Sequence, residues 1–256
     1  MQSLKNKTVF ITGASSGIGK ACAQQFAAAG ANLVLTARRL DRLQELSEML
    51  EIKYDISTLS IQLDVRNQDE VKTRIKQLPS KFSQIDILLN NAGLALATDK
   101  LHEGKIDDWE TMIDTNIKGL LYVTRAILPS MVERKIGHVI NIGSIAGHEY
   151  YPAGNVYSAT KHAVKALSKS LLIDLYDTPV RVSSVDPGAV DTEFSVVRWN
   201  DAERAKQFYA DFTPLSADDI ADAVVYCASR PAHVNIAEMV VLPTDQGSAN
   251  HLNKHQ

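Results

Sequence analysis

Short apolar runs alternate along the chain with longer stretches in which apolar residues recur every third or fourth position. The runs cover residues 8–12, 32–37, 58–64, 85–90, 138–144, 180–186 and 238–242. They are rich in Val, Ile and Leu and show little polar alternation, which predicts strands covered on both faces of a parallel sheet. The intervening stretches predict helices. After Gly17, one face collects Ile18, Ala21, Cys22 and Phe26, and the next stretch aligns Leu43, Leu46 and Leu50. A third helix is predicted over 68–78 behind a cap at Asn67. Residues 106–133 read as one long helix in which Pro129 bends the axis or marks the last turn. Residues 155–176 form another, and Ser216-Ala217-Asp218-Asp219 opens a helix that ends near Pro231. Repeated β-α-β units predict an α/β, single-domain Rossmann fold over 1–256, a doubly wound parallel seven-stranded sheet with helices on both faces. The stretch from about Val190 to residue 215 is the least regular. It reads equally as a surface helix pair or as a lid over a site.

Composition narrows the class without naming a function. The 27 basic and 30 acidic residues give a net charge of −3, which argues against a nucleic-acid surface. Two distant cysteines, Cys22 and Cys227, leave no disulfide framework and no CxxC metal motif. No apolar run reaches the roughly 18 residues of a membrane span, and the opening Met1–Lys7 segment lacks the apolar stretch of a signal peptide. The expectation is a cytoplasmic protein.

The candidate chemistry sits where the predicted strands end. Thr12-Gly13-Ala14-Ser15-Ser16-Gly17-Ile18-Gly19 joins the first strand to the first helix. Gly13 suits a tight turn, Gly17 a backbone approach to a pyrophosphate, and Gly19 close helix–strand packing. Ser15, Ser16 and Ile18 join them as candidate cofactor contacts beside the helix N-terminus. The second strand ends in Arg38 and Arg39, not in the acid that would meet a free ribose 2′-hydroxyl. Two guanidinium groups suit a 2′-phosphate, so the expected cofactor is NADP(H). Asp64 and Val65 end the third strand, and Asn91, Ala92 and Gly93 follow the fourth, both at the ligand edge of an open sheet. Asp64 could accept from an adenine amino group.

Tyr157 and Lys161 lie four residues apart on one helix face, with Ser144 thirteen residues before Tyr157. An ammonium near a phenol favours the phenolate and makes Tyr157 a candidate acid/base. The order of Thr12–Gly19, Asn90–Gly93, Asn116, Ser144, Tyr157–Lys161 and Asp186-Pro187-Gly188 resembles the short-chain dehydrogenase/reductase family over nearly the whole chain. The resemblance implies a catalytic set of Asn116, Ser144, Tyr157 and Lys161. Tyr157 would be the acid/base and Ser144 would orient the substrate oxygen. Lys161 would hold the nicotinamide ribose and lower the Tyr157 pKa, and Asn116 would hold a water linking Lys161 to solvent. It also implies that Pro187, Gly188, Val190 and Thr192 pack on the nicotinamide.

Within that family, residues 122–126, 154–157, 192–195 and 231–236 are similar to NADP-dependent 3-hydroxy acid dehydrogenases, which act on serine and allo-threonine. This implies hydride transfer between NADP(H) and a small 3-hydroxy acid or the matching carbonyl. The alternative is a broad NADPH carbonyl reductase for uncharged ketones and aldehydes or acyl thioesters. A cofactor-binding sensor without catalysis is disfavoured by the intact four-residue set. Arg198 is a candidate partner for a substrate carboxylate, against an equal reading as a solvated helix residue; Arg181 lies at the wrong strand end. The segment 148–151 is expected to border the substrate pocket, and His162 and Cys22 to pack. His251 and His255 make a poor metal site, so no metal is expected. The apolar residues on several sides of 106–133 and 155–176 suggest a subunit interface, the family resemblance implies a homotetramer, and the tail 250–256 is similar to one that reaches a neighbouring subunit.

Overall fold

The computed structural model describes residues 3–255. Met1, Gln2 and Gln256, and with them the ends of the opening segment and of the tail, lie outside the described residues. Seven strands form one parallel sheet: β1 (Thr8–Thr12), β2 (Asn32–Ala37), β3 (Thr58–Gln62), β4 (Ile87–Asn90), β5 (Gly137–Ile142), β6 (Val180–Pro187) and β7 (Glu238–Val241). Their spatial order is β3-β2-β1-β4-β5-β6-β7. The order reverses between β1 and β4, and a crevice opens there at the carboxyl ends of the strands.

The near-continuous apolar runs are explained by burial on both faces. Val9, Ile11, Leu33, Leu35 and Leu89 point to one side, where α1 (Gly17–Ala28), α2 (Leu40–Tyr54) and α9 (Ala217–Ala228) supply Phe26, Leu43, Leu50 and Ile220. Phe10, Val34, Leu88 and Val139 point to the other. There α3 (Gln68–Lys76), α5 (Leu120–Arg134) and α6 (Asn155–Asp174) supply Val71, Ile127, Met131 and Leu171. Alternate residues of each strand thus feed two cores, so neither parity is polar.

Three expectations need correction. The predicted long helix over 106–133 is interrupted. α4 (Ile106–Ile113) passes through a π turn, residues 114–119, into α5. Such single widened turns in α-helices are frequent at functional sites, and this one carries Asn116. Pro129 is not in the last turn, since α5 runs on to Arg134. Pro129 and Arg125, whose carbonyl loses its helical partner, are both exposed, so water can serve that carbonyl. Finally, the strands predicted over 58–64 and 138–144 stop at Gln62 and Ile142, and the residues beyond them turn into the crevice.

The irregular stretch folds as two short helices, α7 (Glu193–Trp199) and α8 (Ala202–Tyr209), against the open edge of the sheet. Arg181, at the opposite edge, donates to the Cys227, Ala228 and Val234 carbonyls and closes the C-terminal end of α9. At the other end of that helix Ser216 and Asp219 form the reciprocal capping box. The tail folds back on its own chain. β8 (Gln246–Ser248) pairs with β9 (His251–Leu252), and the His255 amide donates to the Asp211 carbonyl at 2.7 Å.

Candidate active site

The glycine loop takes its shape from backbone requirements. Gly13 and Gly17 have φ of +67° and +51°, a region costly for other residues. A Cβ on Gly19 would stand 2.4 Å from the Gly13 carbonyl oxygen, so α1 can approach β1 only with glycine there. The Asn91 side chain donates to the Thr12 and Gly13 carbonyls at 2.8 and 3.2 Å. The Asn91 and Ala92 amides both donate to the Thr12 hydroxyl at 2.9 Å. The end of β4 is therefore strapped to the glycine loop, which fixes two strand ends as one wall.

That wall belongs to a cavity of about 580 Å³. It is lined by Gly13, Ser15, Ser16, Gly17 and Ile18, by Arg38, Arg39, Asp64 and Val65, and by Asn91, Ala92 and Gly93. Ser144, Tyr157, Lys161, Pro187, Gly188, Val190 and Thr192 complete the approach to α7. Gly19 and Asn116 support the cavity from behind. The Ser16 hydroxyl accepts from Arg39 Nη2 at 2.8 Å and makes no cap on α1, so the first turn lacks a side-chain partner. That is the environment a phosphate requires. Arg39 also reaches Ser15, and its Nη1 meets Glu193 at 3.1 Å. Arg42 meets the other Glu193 oxygen at 2.8 Å, and these guanidinium groups hold the Glu193 carboxyl below its usual pKa against the effect of burial. Asp64 lines the same end but is turned to Arg66, at 2.6 Å, whose hydrogen bond keeps its carboxyl pKa low.

The candidate reactive groups come from the turn after β5, the π turn and α6. Ser144 follows β5 in extended backbone, and its Oγ accepts from the Ala146 amide at 3.1 Å. Asn116 accepts from the Leu94 amide at 2.9 Å and donates to the Leu94 carbonyl at 2.8 Å and to Thr160 Oγ1 at 3.0 Å. It clamps the chain after Gly93 to α6. Lys161 Nζ donates to the Ile142 carbonyl at 3.0 Å and stands 5.9 Å from the centre of the Tyr157 ring. Burial dominates both titrations. It pushes the Tyr157 phenol well above its ordinary value, a hydrogen bond from Ser144 and the Arg198 charge acting in the opposite direction. Burial also draws the Lys161 ammonium down to about 8, with the Asp186 charge opposing. Ser144 and Arg198 are the groups that pull the phenol down.

The remaining wall is α7 and α8. Thr192 caps α7 by accepting from the Phe194 amide at 3.3 Å. Arg198 Nη2 donates to the Tyr151 hydroxyl at 3.0 Å, and its guanidinium carbon lies 5.8 Å from the Tyr157 ring centre. Its Nε is buried and has no hydrogen-bond partner among the described residues. Trp199, Phe208, Tyr209 and Phe212 pack edge to face behind it. The Tyr209 hydroxyl donates to the Val190 carbonyl at 2.7 Å and ties this aromatic cluster to the loop after β6.

The short chain dehydrogenase family model matches residues 7–203 of the chain. The chain belongs to that family. The NADP-dependent 3-hydroxy acid dehydrogenase of Schizosaccharomyces pombe is 44% identical over the full length of both chains. Sulfoacetaldehyde reductase 2 of Chromohalobacter salexigens is 46% identical over 93% of this chain and 94% of its own. Among solved structures, the closed form of serine dehydrogenase complexed with NADP+ superposes with a TM-score of 0.90 at 45% identity, covering 97% of this chain and 99% of that one.

Sequence reasoning missed three contributors. Glu193 was hidden because its arginine partners are more than 150 positions away in the chain. Gln246 accepts from the Ala189 amide at 2.8 Å and fixes the loop after Gly188 from the tail, where no motif points to it. Tyr151 stood in a segment expected to border the pocket, yet only the fold shows it bonded to Arg198.

Proposed function

We propose that the protein transfers a hydride between NADP(H) and a small anionic 3-hydroxy acid or its matching carbonyl. The observation that carries this reading is Arg198, a guanidinium with a buried, unpartnered Nε beside the Tyr157 ring. A buried charged donor left unmatched is costly, and the Arg198 side chain lines the cavity, where a ligand anion would answer its charge. A carboxylate reaching Arg198 and Tyr151 would place its own hydroxyl-bearing carbon near Tyr157. The relatives are named for 3-hydroxy acids and for sulfoacetaldehyde, both anions next to a reacting oxygen.

NADP(H) supplies or accepts the hydride when bound. The loop of Gly13, Ser15, Ser16, Gly17 and Ile18, with the uncapped start of α1, fits its pyrophosphate. Arg38 and Arg39 fit its 2′-phosphate. Asp64, Val65, Asn91, Ala92 and Gly93 border the adenosine half, while Pro187, Gly188, Val190, Thr192 and Lys161 border the nicotinamide half. Tyr157 gives its proton to the carbonyl oxygen in reduction and takes the alcohol proton in oxidation. The Ser144 hydroxyl orients the same oxygen. Lys161 holds the ribose and Asn116 secures the π turn behind it. α7 and α8 form the lid.

The test is NADP+ reduction with serine, allo-threonine, 3-hydroxypropionate and 3-hydroxyisobutyrate, beside NADPH oxidation with uncharged aldehydes and diketones. Turnover on the acids supports the reading. Turnover confined to the uncharged carbonyls overturns it in favour of a broad carbonyl reductase.

We also propose a homotetramer built through α5 and α6, where Leu121 and Ile173 are exposed, with Tyr176 exposed just beyond α6. A monodisperse monomer by light scattering would exclude it. No helix among the described residues is long and apolar enough to cross a membrane. The two free cysteines accord with a reducing cytoplasm.

A further inference from the structure

The turn that carries Ser144 is held at both ends by the last residues of β6. At its start the Gly143 amide donates to the Val185 carbonyl at 2.8 Å. A Cβ on Gly143 would overlap Oδ1 of Asp186, so the chain passes this carboxylate only with glycine there. Inside the turn the Gly147 and His148 amides donate to the Ser144 and Ile145 carbonyls at 2.8 and 2.9 Å. The Ala146 amide donates to Ser144 Oγ at 3.1 Å. On its other side the turn lies against α6, where a Cβ on Gly147 would stand 2.7 Å from the Lys161 carbonyl oxygen. At its end the His148 side chain returns to β6, with Nε2 2.6 Å from Asp186 Oδ2. Asp186 is 1% exposed and also accepts from the Ser184 hydroxyl at 2.5 Å. One buried carboxylate thus meets both the residue before Ser144 and the residue that closes its turn.

The outer side of the imidazole meets two groups of opposite charge. Nδ1 lies 2.6 Å from Lys165 Nζ and 3.4 Å from Glu238 Oε1. Glu238 in turn lies 3.4 Å from Lys165 and 3.1 Å from Lys169. If Nδ1 accepts from the Lys165 ammonium, the ring is neutral and its proton sits on Nε2. If Lys165 swings to Glu238 and Nδ1 donates to that carboxylate, the ring is an imidazolium and Nε2 is again protonated. The remaining form, with a bare Nε2, would set two lone pairs against each other across 2.6 Å. Nε2 therefore donates to Asp186 in both forms that fit, and the contact does not depend on the charge of the ring.

We propose that the His148–Asp186 hydrogen bond is a latch that holds the Ser144 turn against the end of β6 and so fixes where the Ser144 hydroxyl meets the reacting oxygen. Neither side chain lines the cavity. Both are positioning residues that act through Ser144. The inference rests on the assignment of Ser144 to the substrate oxygen, so one arm of its test does not read turnover.

That arm is hydrogen exchange followed by mass spectrometry on the full-length protein. His148→Ala removes the latch at a side chain that is 15% exposed. Exchange over residues 146–149 should become about tenfold faster, while peptides from β1 and β2 stay as protected as before. His148→Gln keeps an amide N–H that can reach Asp186 and should restore most of the protection. The second arm is steady-state kinetics. His148→Ala should lower kcat about tenfold, with KM and NADPH affinity within about twofold. His148→Gln should recover kcat to within about threefold of the unaltered protein. Ser144→Ala alone should lower kcat about 10²-fold. Adding His148→Ala to it should cost less than about a further twofold, since the latch acts through a hydroxyl no longer present. Unchanged exchange over the turn in folded His148→Ala protein overturns the proposal, whatever happens to the rate. Faster exchange with multiplied losses in the double variant also overturns it, because the pair would then support the site at large. Full turnover in Ser144→Ala overturns the Ser144 assignment and the positioning role with it, while the exchange result still reports on the latch by itself.

Discussion

The two walls of the cavity are built differently. The cofactor wall is made of strand ends and the glycine loop, anchored in a sheet whose residues Val9, Ile11, Leu33, Leu35 and Leu89 are fully or almost fully buried. The substrate wall is made of α7 and α8, of seven and eight residues, held by an aromatic cluster and a few polar ties. Helices this short are not stable alone, so their position depends on tertiary contacts. On the proposed reading, backbone geometry with Arg38 and Arg39 carries binding on the first wall, and side chains of α7 carry selectivity on the second. An enzyme so arranged can change its substrate by altering α7 and α8 while keeping its cofactor.

The largest effect should come at the seam between the walls. Tyr157→Phe removes one hydroxyl that neither wall needs for its shape. Turnover should fall about 10³-fold, while NADPH affinity, measured by fluorescence titration, stays within about twofold. Lost cofactor affinity would show that the phenol belongs to the cofactor wall and would undo the distinction.

Next comes the cofactor wall alone. Arg38→Ala combined with Arg39→Ala should weaken NADPH by about 10²-fold through loss of two charge-assisted contacts, with NADH unchanged. An equal loss for both cofactors would mean that the arginines hold the loop, through Ser15 and Ser16, and do not read the phosphate. On the substrate wall, Arg198→Met keeps apolar bulk and removes the charge. It should lower kcat/KM for anionic substrates by about 30-fold, mostly in KM, and leave uncharged carbonyls nearly untouched. A similar loss on both classes would assign Arg198 to packing against Tyr151 and Trp199.

The contrast also explains what was legible in the sequence. The fold was readable because it depends on local pattern, and so were the residues that the structure brings together on the first wall. Apolar runs mark strands, Gly13, Gly17 and Gly19 mark a turn and a close approach, and Arg38 and Arg39 follow directly on a strand. Tyr157 and Lys161 share a helical face and were readable for the same reason. The π turn at 114–119 was not, since widening one helical turn leaves the apolar periodicity of 106–133 nearly intact. Asp186 was visible only as a neighbour of Pro187-Gly188. Its partner His148 comes from a loop, and the groups that meet the other side of that imidazole, Lys165 and Glu238, come from a helix and a strand distant in the chain. The choice between helix pair and lid over 190–215 could not be made from pattern, because α7 and α8 have solvated outer faces and inner faces that line the cavity.

The smallest predicted effect concerns a place where the walls are tied by charge. Glu193, in the first turn of α7, spans Arg39 and Arg42, and all three side chains are about half exposed. Exposed ion pairs contribute roughly 0–1 kcal/mol each, so the tie is weak enough for a ligand to compete with it. A 2′-phosphate approaching Arg39 meets a carboxylate already placed on the same guanidinium. Glu193→Gln retains hydrogen-bonding capacity and removes the competing charge. NADPH affinity should therefore rise about threefold, NADH affinity should stay the same, and the gain should shrink as salt screens the site. If instead both cofactors bind more weakly and KM for the acid rises, the Glu193 bridge is what holds α7 against the cofactor wall. The two walls would then be one cooperative unit, and substitutions in α7 would not leave cofactor binding alone.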